Sequence, residues 1–103
     1  MMIYIAHPYE GLEENKNKIE NILEKIAKAD IKNTYNSPVL SYGFLYDKIE
    51  HHIWEDYCID LLMMCDKVYF FGDIKSSPDC KLELKMCKRF KKPYIVFNNK
   101  IKD

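Results

Sequence analysis

The chain has 103 residues with 16 basic and 16 acidic side chains, and 48% of its residues are hydrophobic. These values favour a single compact domain over residues 1–103 and exclude an intrinsically disordered chain. Zero net charge argues against a protein that binds nucleic acids by bulk phosphate attraction. No apolar run approaches the roughly 20 residues of a membrane span, so neither nucleic acid nor membrane is expected as a partner.

The cysteines indicate the compartment. Cys58, Cys65, Cys80 and Cys87 fall on apolar helical faces, and none of them forms a C-x-x-C pair. These spacings are not those of a zinc site or a disulfide framework. We therefore interpret the cysteines as reduced core thiols of a cytoplasmic protein.

Apolar runs alternate with helical patterns along the chain. The apolar runs predict strands, at residues 3–6, 34–40 (a weaker strand and its exit), 66–71 and 92–97. Helical spacing begins at Leu12 and again at Trp54, and a third helix is predicted from Pro78 to about Lys91. Residues 41–52 are predicted to form a loop, a short helix or both, in a position that often covers a ligand site.

This alternation predicts an α/β fold. Helical connections between successive strands imply a parallel sheet with right-handed crossovers, and continuous apolar runs are typical of strands covered on both faces. We expect a flavodoxin-like doubly wound sandwich with a four-stranded parallel sheet in the order 2-1-3-4. A sheet of this size leaves apolar helix surface uncovered, so a homo-oligomer, a dimer or larger, is expected.

The segment that follows the third predicted strand begins a helix. Ser77 is suited to cap that helix, and Pro78 fits its first turn because a missing N–H costs nothing there. Helical spacing places Glu83 on the same stripe as Cys87 and Phe90. The sequence therefore predicts an inward-facing carboxylate near the carboxyl end of a parallel strand, where ligands of open α/β sheets bind.

Two loops are predicted to flank this carboxylate. Strands 1 and 3 are neighbours in the expected sheet, so His7, Pro8 and Tyr9 after the first strand lie beside residues 73–78 after the third. Glu83 then faces the crevice as a candidate carboxylate nucleophile for an anomeric carbon. Position alone equally supports an ion pair between Glu83 and a lysine of its own helix.

The residues around this crevice favour a neutral sugar or nucleoside over a phosphate. The chain has neither a Gly-x-Gly-x-x-Gly segment nor a Walker loop. Glu10, Glu13 and Glu14 bring negative charge to the start of the first helix, which disfavours a phosphate there. The reacting carbon of a glycoside becomes cationic and is stabilised by nearby acids. No cofactor is expected.

Three histidines and a further aspartate have structural as well as functional interpretations. Asp66 is expected to accept backbone N–H bonds at the entry of the third strand. His51, His52 and Glu55 carry metal-ligating atoms, but adjacent histidines diverge on a helix, so we predict a surface role and no metal site. His7, beside the crevice, is a candidate for a ligand contact or a proton relay.

Three motifs, taken together, resemble a known family. They are Ile3-Tyr4-Ile5-Ala6-His7-Pro8-Tyr9, then Asp60 with Asp66 in Cys58-Ile59-Asp60-Leu61-Leu62-Met63-Met64-Cys65-Asp66, then Cys80 to Glu83 before a helix. In order and spacing they are similar to the nucleoside 2-deoxyribosyltransferase-like superfamily, closest to its small, mostly uncharacterised bacterial and phage branch. The resemblance covers most of the chain and is weakest over residues 41–54.

The resemblance implies a doubly wound α/β fold and chemistry at the N-glycosidic bond of deoxynucleosides. Glu83 matches the family's glutamate nucleophile, and Asp60 matches an aspartate that contacts the nucleoside. Tyr4 or Tyr9 matches the tyrosine that orients the nucleophile. Family active sites often use residues of a neighbouring subunit, which implies such a role for Asn98 and Asn99.

Two departures from the family pattern accompany the resemblance. Asp79 stands where the family usually has a small residue, often glycine, and the chain has one strand fewer than characterised transferases. The candidate site thus comprises Glu83 and Asp60 as catalytic residues and a set of substrate contacts. The candidate substrate contacts are Tyr4, His7, Pro8, Tyr9, Asp73, Ser76, Ser77, Asp79 and Asn98.

Three functions are compatible with these features. The first is N-glycosidic bond chemistry on (deoxy)nucleosides or nucleotides, by transfer or hydrolysis, with Glu83 as nucleophile. The second is a non-catalytic module that binds or sequesters a nucleoside-like or nucleotide-derived small molecule. The third is a self-associating scaffold without a ligand. Whether Glu83 is open to the pocket or paired with a lysine separates the first two.

Overall fold

The structure, a computed structural model, describes residues 1–97. Its strands are β1 Met2–Ala6, β2 Thr34–Asn36, β3 Lys67–Phe70 and β4 Tyr94–Val96. Its helices are α1 Glu13–Ala29, α2 Pro38–Tyr42, α3 His51–Met64 and α4 Pro78–Arg89, with 3₁₀ turns at Gly43–Leu45 and Ile74–Ser76. The strands form one parallel sheet in the order β2-β1-β3-β4. The predicted flavodoxin-like α/β fold is confirmed.

The central strand β1 is buried because helices cover both faces of the sheet. It pairs in parallel with β2 on one side and β3 on the other. Ile3, Tyr4 and Ile5 are at most 1% exposed, as expected for a doubly covered parallel strand. The edge strand β4 is exposed at all three of its positions. The expectation that every strand is covered on both faces is therefore wrong for β4.

Successive side chains of β1 point to opposite faces of the sheet and divide the core into two halves. Ile3 and Ile5 pack against side chains of α1. Tyr4 belongs to a cluster with Leu62 of α3 and Cys87 of α4. This alternation determines on which side of the sheet each candidate site residue lies.

Helix α4 begins as the sequence predicts. The Ser77 hydroxyl accepts a hydrogen bond from the backbone N–H of Cys80 at 3.2 Å, and Pro78 occupies the first helical position. Glu83 and Cys87 are buried, but Phe90 is 52% exposed. The helix ends at Arg89, before the predicted end near Lys91, and so the predicted apolar stripe does not extend to Phe90.

The segment 41–52 combines short helical pieces with a loop over residues 46–50, as predicted. It contains the end of α2, a 3₁₀ turn and the start of α3, which begins at His51 rather than at the predicted Trp54. Tyr46 packs edge-on against Trp54 with ring centroids 5.2 Å apart. Trp54 is in turn buried beside Ile19 of α1. The segment is therefore attached to the packed core by aromatic contacts.

Two further expectations concern the cysteines and the membrane. All four cysteines are free thiols and all four are buried, as predicted for core thiols. Within residues 1–97, no helix combines the length and the apolar composition that crossing a bilayer requires.

Candidate active site

The sheet separates the predicted site residues into two groups. His7, Pro8, Asp73 and Ser76 line a cavity of about 620 Å³, which we call the α1 cavity because α1 forms part of its wall. Glu83 contacts Tyr4 and so lies on the other face of the sheet, with α3 and α4. The structure therefore does not place Glu83 in the crevice between the two loops. The α1 cavity is lined by His7, Pro8, Glu10, Asn15, Lys18, Ile22, Lys25, Ile26, Tyr69, Phe71, Gly72, Asp73, Ser76 and Phe97.

Glu83 forms a buried hydrogen bond with Tyr4. The Tyr4 hydroxyl donates to Oε2 of Glu83, across 79 residues of sequence. Tyr4 is fully buried and Glu83 is 4% exposed. Of the two tyrosines that the sequence left open, Tyr4 is therefore the one that orients the carboxyl group. Glu83 forms no ion pair with a lysine among the described residues.

Burial determines the protonation of this pair. It raises the pKa of Glu83 to about 8, and the hydrogen bond from Tyr4 lowers this pKa by less than burial raises it. The negative charge of Asp79 raises the pKa of Glu83 further. Burial also raises the pKa of Tyr4 well above its usual value, so the phenol keeps its proton. Glu83 is thus a carboxyl group that ionises near pH 8 beside a permanent hydrogen-bond donor.

Two thiols border the same carboxyl group. Burial is the main reason that the pKa values of Cys58 and Cys80 lie far above the usual value, and the charge of Glu83 raises both further. Thiols in this condition stay uncharged and are poor nucleophiles. Of these three groups, Glu83 is the one suited to nucleophilic chemistry near neutral pH.

A shallow groove between α3 and α4 leads to Glu83. We call it the Glu83 groove, and it is lined by Glu55, Cys58, Ile59, Asp79, Leu82 and Glu83. In the structure it has no room for a water molecule. A substrate therefore reaches Glu83 from this side only when side chains of α3 and α4 move apart. Asp79, a predicted substrate contact, belongs to this groove rather than to the α1 cavity.

The α1 cavity combines aromatic and charged side chains. Phe71 and Phe97 stack with ring centroids 4.6 Å apart and planes 4° apart. Lys18 and Lys25 of α1 contribute cationic groups to the lining, and Glu10 and Asp73 contribute acidic groups. Planar apolar surface together with a few charged groups is typical of small-molecule sites. This lining suits a ligand that has both a ring and polar groups.

Gly72 lets the loops after β1 and β3 approach each other, as the sequence predicted for these loops. Its φ is +81°, and a Cβ at this position would lie 2.9 Å from Nε2 of His7 and 3.0 Å from Cδ of Pro8. A side chain here would therefore combine backbone strain with a clash. Gly72 shapes the wall of the α1 cavity at His7.

Asp60 contributes to neither site. It is exposed on α3 and lines neither the α1 cavity nor the Glu83 groove. Ile59, one position earlier, lines the groove, and each helical residue is rotated by about 100° from the last. The structure therefore gives no support to a catalytic role for Asp60, whose side chain is turned away from Glu83. Asn98 and Asn99 lie outside the described residues.

Tyr9 and Ser77 have structural roles. Tyr9 packs against Tyr46 and Trp54, with ring centroids 4.9 and 6.1 Å apart, whereas the hydrogen bond to Glu83 comes from Tyr4. Ser77 is 1% exposed and caps α4. Asp66 accepts the backbone N–H of Met2 at 2.7 Å, as predicted for the entry of the third strand.

Sequence reasoning missed several residues that line these sites. Lys18 and Lys25 are two helical turns apart on α1, a spacing that places both on one face and could have identified them. Glu55 lines the groove with Ile59 one turn later, and the same periodicity could have linked them. No sequence signal assigned Gly72 its contact with the loop after β1.

Comparison with known families matches residues 1–96 to the family described as Domain of unknown function (DUF4406). The matched region contains the whole of the Glu83 groove and all of the α1 cavity except Phe97. No curated protein matches the chain.

Proposed function

The chain thus belongs to the DUF4406 family, and we propose that it acts on the N-glycosidic bond of a (deoxy)nucleoside or nucleotide through Glu83. The observation that carries this proposal is the buried pair of Tyr4 and Glu83. Burying a carboxyl group and a hydroxyl costs stability even when they are hydrogen-bonded, and apolar side chains of similar size would fill the same space at lower cost. A titratable group kept in such a position is typical of a functional site.

The resemblance to the nucleoside 2-deoxyribosyltransferase-like superfamily supports the same proposal. It implies a tyrosine that orients a glutamate nucleophile, and Tyr4 donates to Glu83 in this way. The two residues come from β1 and α4, so they meet only because the chain folds as a parallel sheet with α4 on the Tyr4 face.

In the proposed reaction Glu83 acts as a carboxylate. One of its oxygens forms a bond to the anomeric carbon while the bond from that carbon to the base nitrogen breaks. The bonding electrons leave with the base, which takes a proton from water. Water, or a second base, then attacks the anomeric carbon of the glycosyl ester, its proton passes to solvent, and Glu83 leaves as the carboxylate.

Tyr4 positions the nucleophile in this scheme. Its hydroxyl holds Oε2 of Glu83, and we assign the attack to Oε1. Because the pKa of Glu83 is raised to about 8, the reactive carboxylate is the minor form at pH 7. The rate is therefore expected to rise with pH and to level off above about pH 8.

The test is an incubation of the protein with 2′-deoxynucleosides and their monophosphates, with and without a second free base, followed by chromatography of the products. Glu83→Gln removes the nucleophile with little change of shape, and we expect it to lower turnover at least about 1000-fold. Glu20→Gln, an exposed carboxylate on α1, is the matched control. Absence of turnover in folded wild-type protein would contradict the proposal for those substrates, as would full turnover by Glu83→Gln.

The α1 cavity favours a second candidate function, the binding of a nucleotide-like molecule without chemistry. Phe97, stacked on the buried Phe71, offers a surface for a base. Lys18 offers a cationic group to a phosphate, and this attraction has to exceed the repulsion from Glu10 and Asp73 in the same lining. Binding to the folded state raises the melting temperature. We expect deoxynucleoside monophosphates to stabilise the wild type and Glu83→Gln equally and Lys18→Ala less. Equal stabilisation of Lys18→Ala would contradict this assignment.

Self-association is also proposed. Tyr94, Ile95 and Val96 of the edge strand are 37%, 42% and 48% exposed, and an uncovered edge strand is a surface on which a second copy can pair. Light scattering after size exclusion tests this expectation, and a monomer at high concentration would contradict it. The buried free thiols favour a reducing compartment such as the cytoplasm.

A further inference from the structure

Three potential metal ligands meet beside the Glu83 groove. His51 and Glu55 lie one turn apart at the start of α3, and Asp79 lies in the first turn of α4. One imidazole nitrogen and two carboxylate oxygens from these residues all lie within 4.8 Å of one another. We propose that His51, Glu55 and Asp79 bind one divalent transition-metal ion, with Zn²⁺ as the preferred ion.

The distances suit a small tetrahedral ion. Nε2 of His51 lies 3.0 Å from Oδ1 of Asp79 and 3.7 Å from Oε2 of Glu55. Zinc ligands at about 2.0–2.1 Å from the metal in a tetrahedron are about 3.3 Å apart. The two observed separations lie on either side of this value, and the ligand atoms of Glu55 and Asp79 lie within 4.8 Å of each other, so rotations of the side chains bring the three atoms into coordinating positions.

The charges of the cluster also favour a divalent ion. Among the side chains of residues 1–97, His51 is the only basic group within ion-pair distance of Glu55 or Asp79. Even a protonated imidazole leaves one negative charge of the two carboxylates without compensation. A divalent cation balances both carboxylates and at the same time uses the imidazole as a neutral ligand.

The surroundings leave the cluster ordered but accessible. The ring of Tyr46 lies edge-on to that of His51, with centroids 5.9 Å apart and an interplanar angle of 84°, and so restricts the imidazole. The side chain of His51 is 50% exposed and that of Asp79 is 23% exposed. Three protein ligands at a partly open surface leave the fourth position of zinc to water or a substrate.

The ligand types select among divalent ions. Imidazole nitrogen is a good ligand for Zn²⁺, Co²⁺ and Ni²⁺, whereas Mg²⁺ and Ca²⁺ prefer oxygen atoms alone. The cluster therefore should bind Zn²⁺ and Co²⁺ in preference to Mg²⁺. From the sequence alone, His51, His52 and Glu55 are the residues that carry metal-ligating atoms in this segment. The third ligand of the proposed site, Asp79, is 28 residues away from His51.

The position of the cluster has a consequence that rests on the proposed function. Glu55 and Asp79 also line the groove that ends at Glu83. A cation held by these two carboxylates offsets the negative charge of Asp79, which now raises the pKa of Glu83. The bound ion would thus increase the fraction of Glu83 that is ionised at neutral pH.

The experiment uses full-length, tag-free protein freed of metal with a chelator. Co²⁺ is titrated and followed by its visible absorption, which is intense for tetrahedral coordination, and Zn²⁺ affinity is measured by competition with a chromophoric chelator. His51→Ala and Asp79→Asn each remove one ligand, and His52→Ala is the matched control because His52 contacts Glu50 instead, at 3.7 Å. Circular dichroism establishes that every variant is folded.

We expect one Zn²⁺ per chain, an intense tetrahedral Co²⁺ spectrum, and no displacement of Zn²⁺ by Mg²⁺. His51→Ala and Asp79→Asn should each weaken Zn²⁺ binding at least about 100-fold, while His52→Ala leaves it unchanged. No saturable binding, or equal binding by the His51 and His52 variants, would overturn the proposal. Since none of these readouts depends on turnover, the metal site can fail while the proposed glycosidic chemistry stands, and the reverse.

Discussion

The Glu83 groove and the α1 cavity lie on opposite faces of one sheet and have complementary properties. The groove holds a carboxyl group whose pKa is raised to about 8, but it has no room for a water molecule. The α1 cavity has a volume of about 620 Å³ and is lined by aromatic, basic and acidic side chains, but it lacks Glu83. The larger cavity is therefore not the site of the carboxyl group with the raised pKa. The groove and the cavity need separate tests.

The difference has a simple structural origin. Tyr4 and its neighbour Ile5 are adjacent on β1, and their side chains point to opposite faces. Tyr4 carries the hydrogen bond to Glu83, while Ile5 belongs to the half of the core that α1 covers. Two consecutive residues of β1 therefore serve the two different regions: Tyr4 belongs to the buried polar pair, and Ile5 belongs to the core beside the α1 cavity.

The largest expected effect is on the pH dependence of the free energy of unfolding. The folded-state pKa of Glu83 is about 8 against an ordinary value of 4.5, so between these values the folded chain holds a proton that the unfolded chain has lost. Stability from this group is therefore greatest below about pH 4.5, falls as pH rises, and stops falling above about pH 8. The loss amounts to several kcal/mol, since each unit of pKa corresponds to about 1.4 kcal/mol.

Urea unfolding at a series of pH values from 4.5 to 9 measures how the free energy of unfolding depends on pH. Glu83→Gln should remove the decline, whereas the exposed control Glu20→Gln should retain it. If the unfolding free energies of wild type and Glu83→Gln depend on pH in the same way, Glu83 has an ordinary pKa. The proposed chemical difference between the groove and the α1 cavity would then be wrong.

Tyr4→Phe separates the orientation of Glu83 from its burial. The substitution leaves a buried carboxyl group without its tyrosine donor, which costs about 1–3 kcal/mol of unfolding free energy. Because the Tyr4 hydrogen bond lowers the pKa of Glu83, its loss should move the midpoint of the pH–rate profile upward. Unchanged stability and an unchanged profile would mean that Tyr4 does not control Glu83. Binding in the α1 cavity should not change.

Gly72→Ala is the corresponding change on the side of the α1 cavity. The new Cβ would lie 2.9 Å from His7 on a backbone with φ of +81°, and we expect a loss of about 1–2 kcal/mol. Gly43→Ala is the control, because Gly43 has a helical φ of −55° and its nearest atom would be 3.5 Å away. Thermal melts that rank the two variants equally would refute the proposed role of Gly72.

Asp60→Asn should have the smallest effect. Asp60 is exposed and lines neither site, so its change is expected to alter stability by less than about 0.5 kcal/mol. Turnover should fall by less than about twofold. A large loss of turnover in folded protein would show that Asp60 reaches the substrate, in line with what the family resemblance implies for it and against its position here.

The amino-acid sequence by itself determined the features that depend on neighbouring residues. The alternation of apolar runs and helical spacing predicted the parallel sheet and its strand order, which the structure confirms. Ser77 and Pro78 predicted the start of α4. Such signals work because caps, turns and periodicity involve only a few consecutive residues.

Only the tertiary structure decided which distant residues meet. Tyr4 and Glu83 are 79 residues apart, and their contact depends on which face of β1 holds Tyr4 and on how α4 packs against that face. The same dependence joins His51 to Asp79 and turns Asp60 away from Glu83. Composition and periodicity report whether a side chain is buried, but the partner of a buried polar group is chosen by the register and packing of the whole sheet.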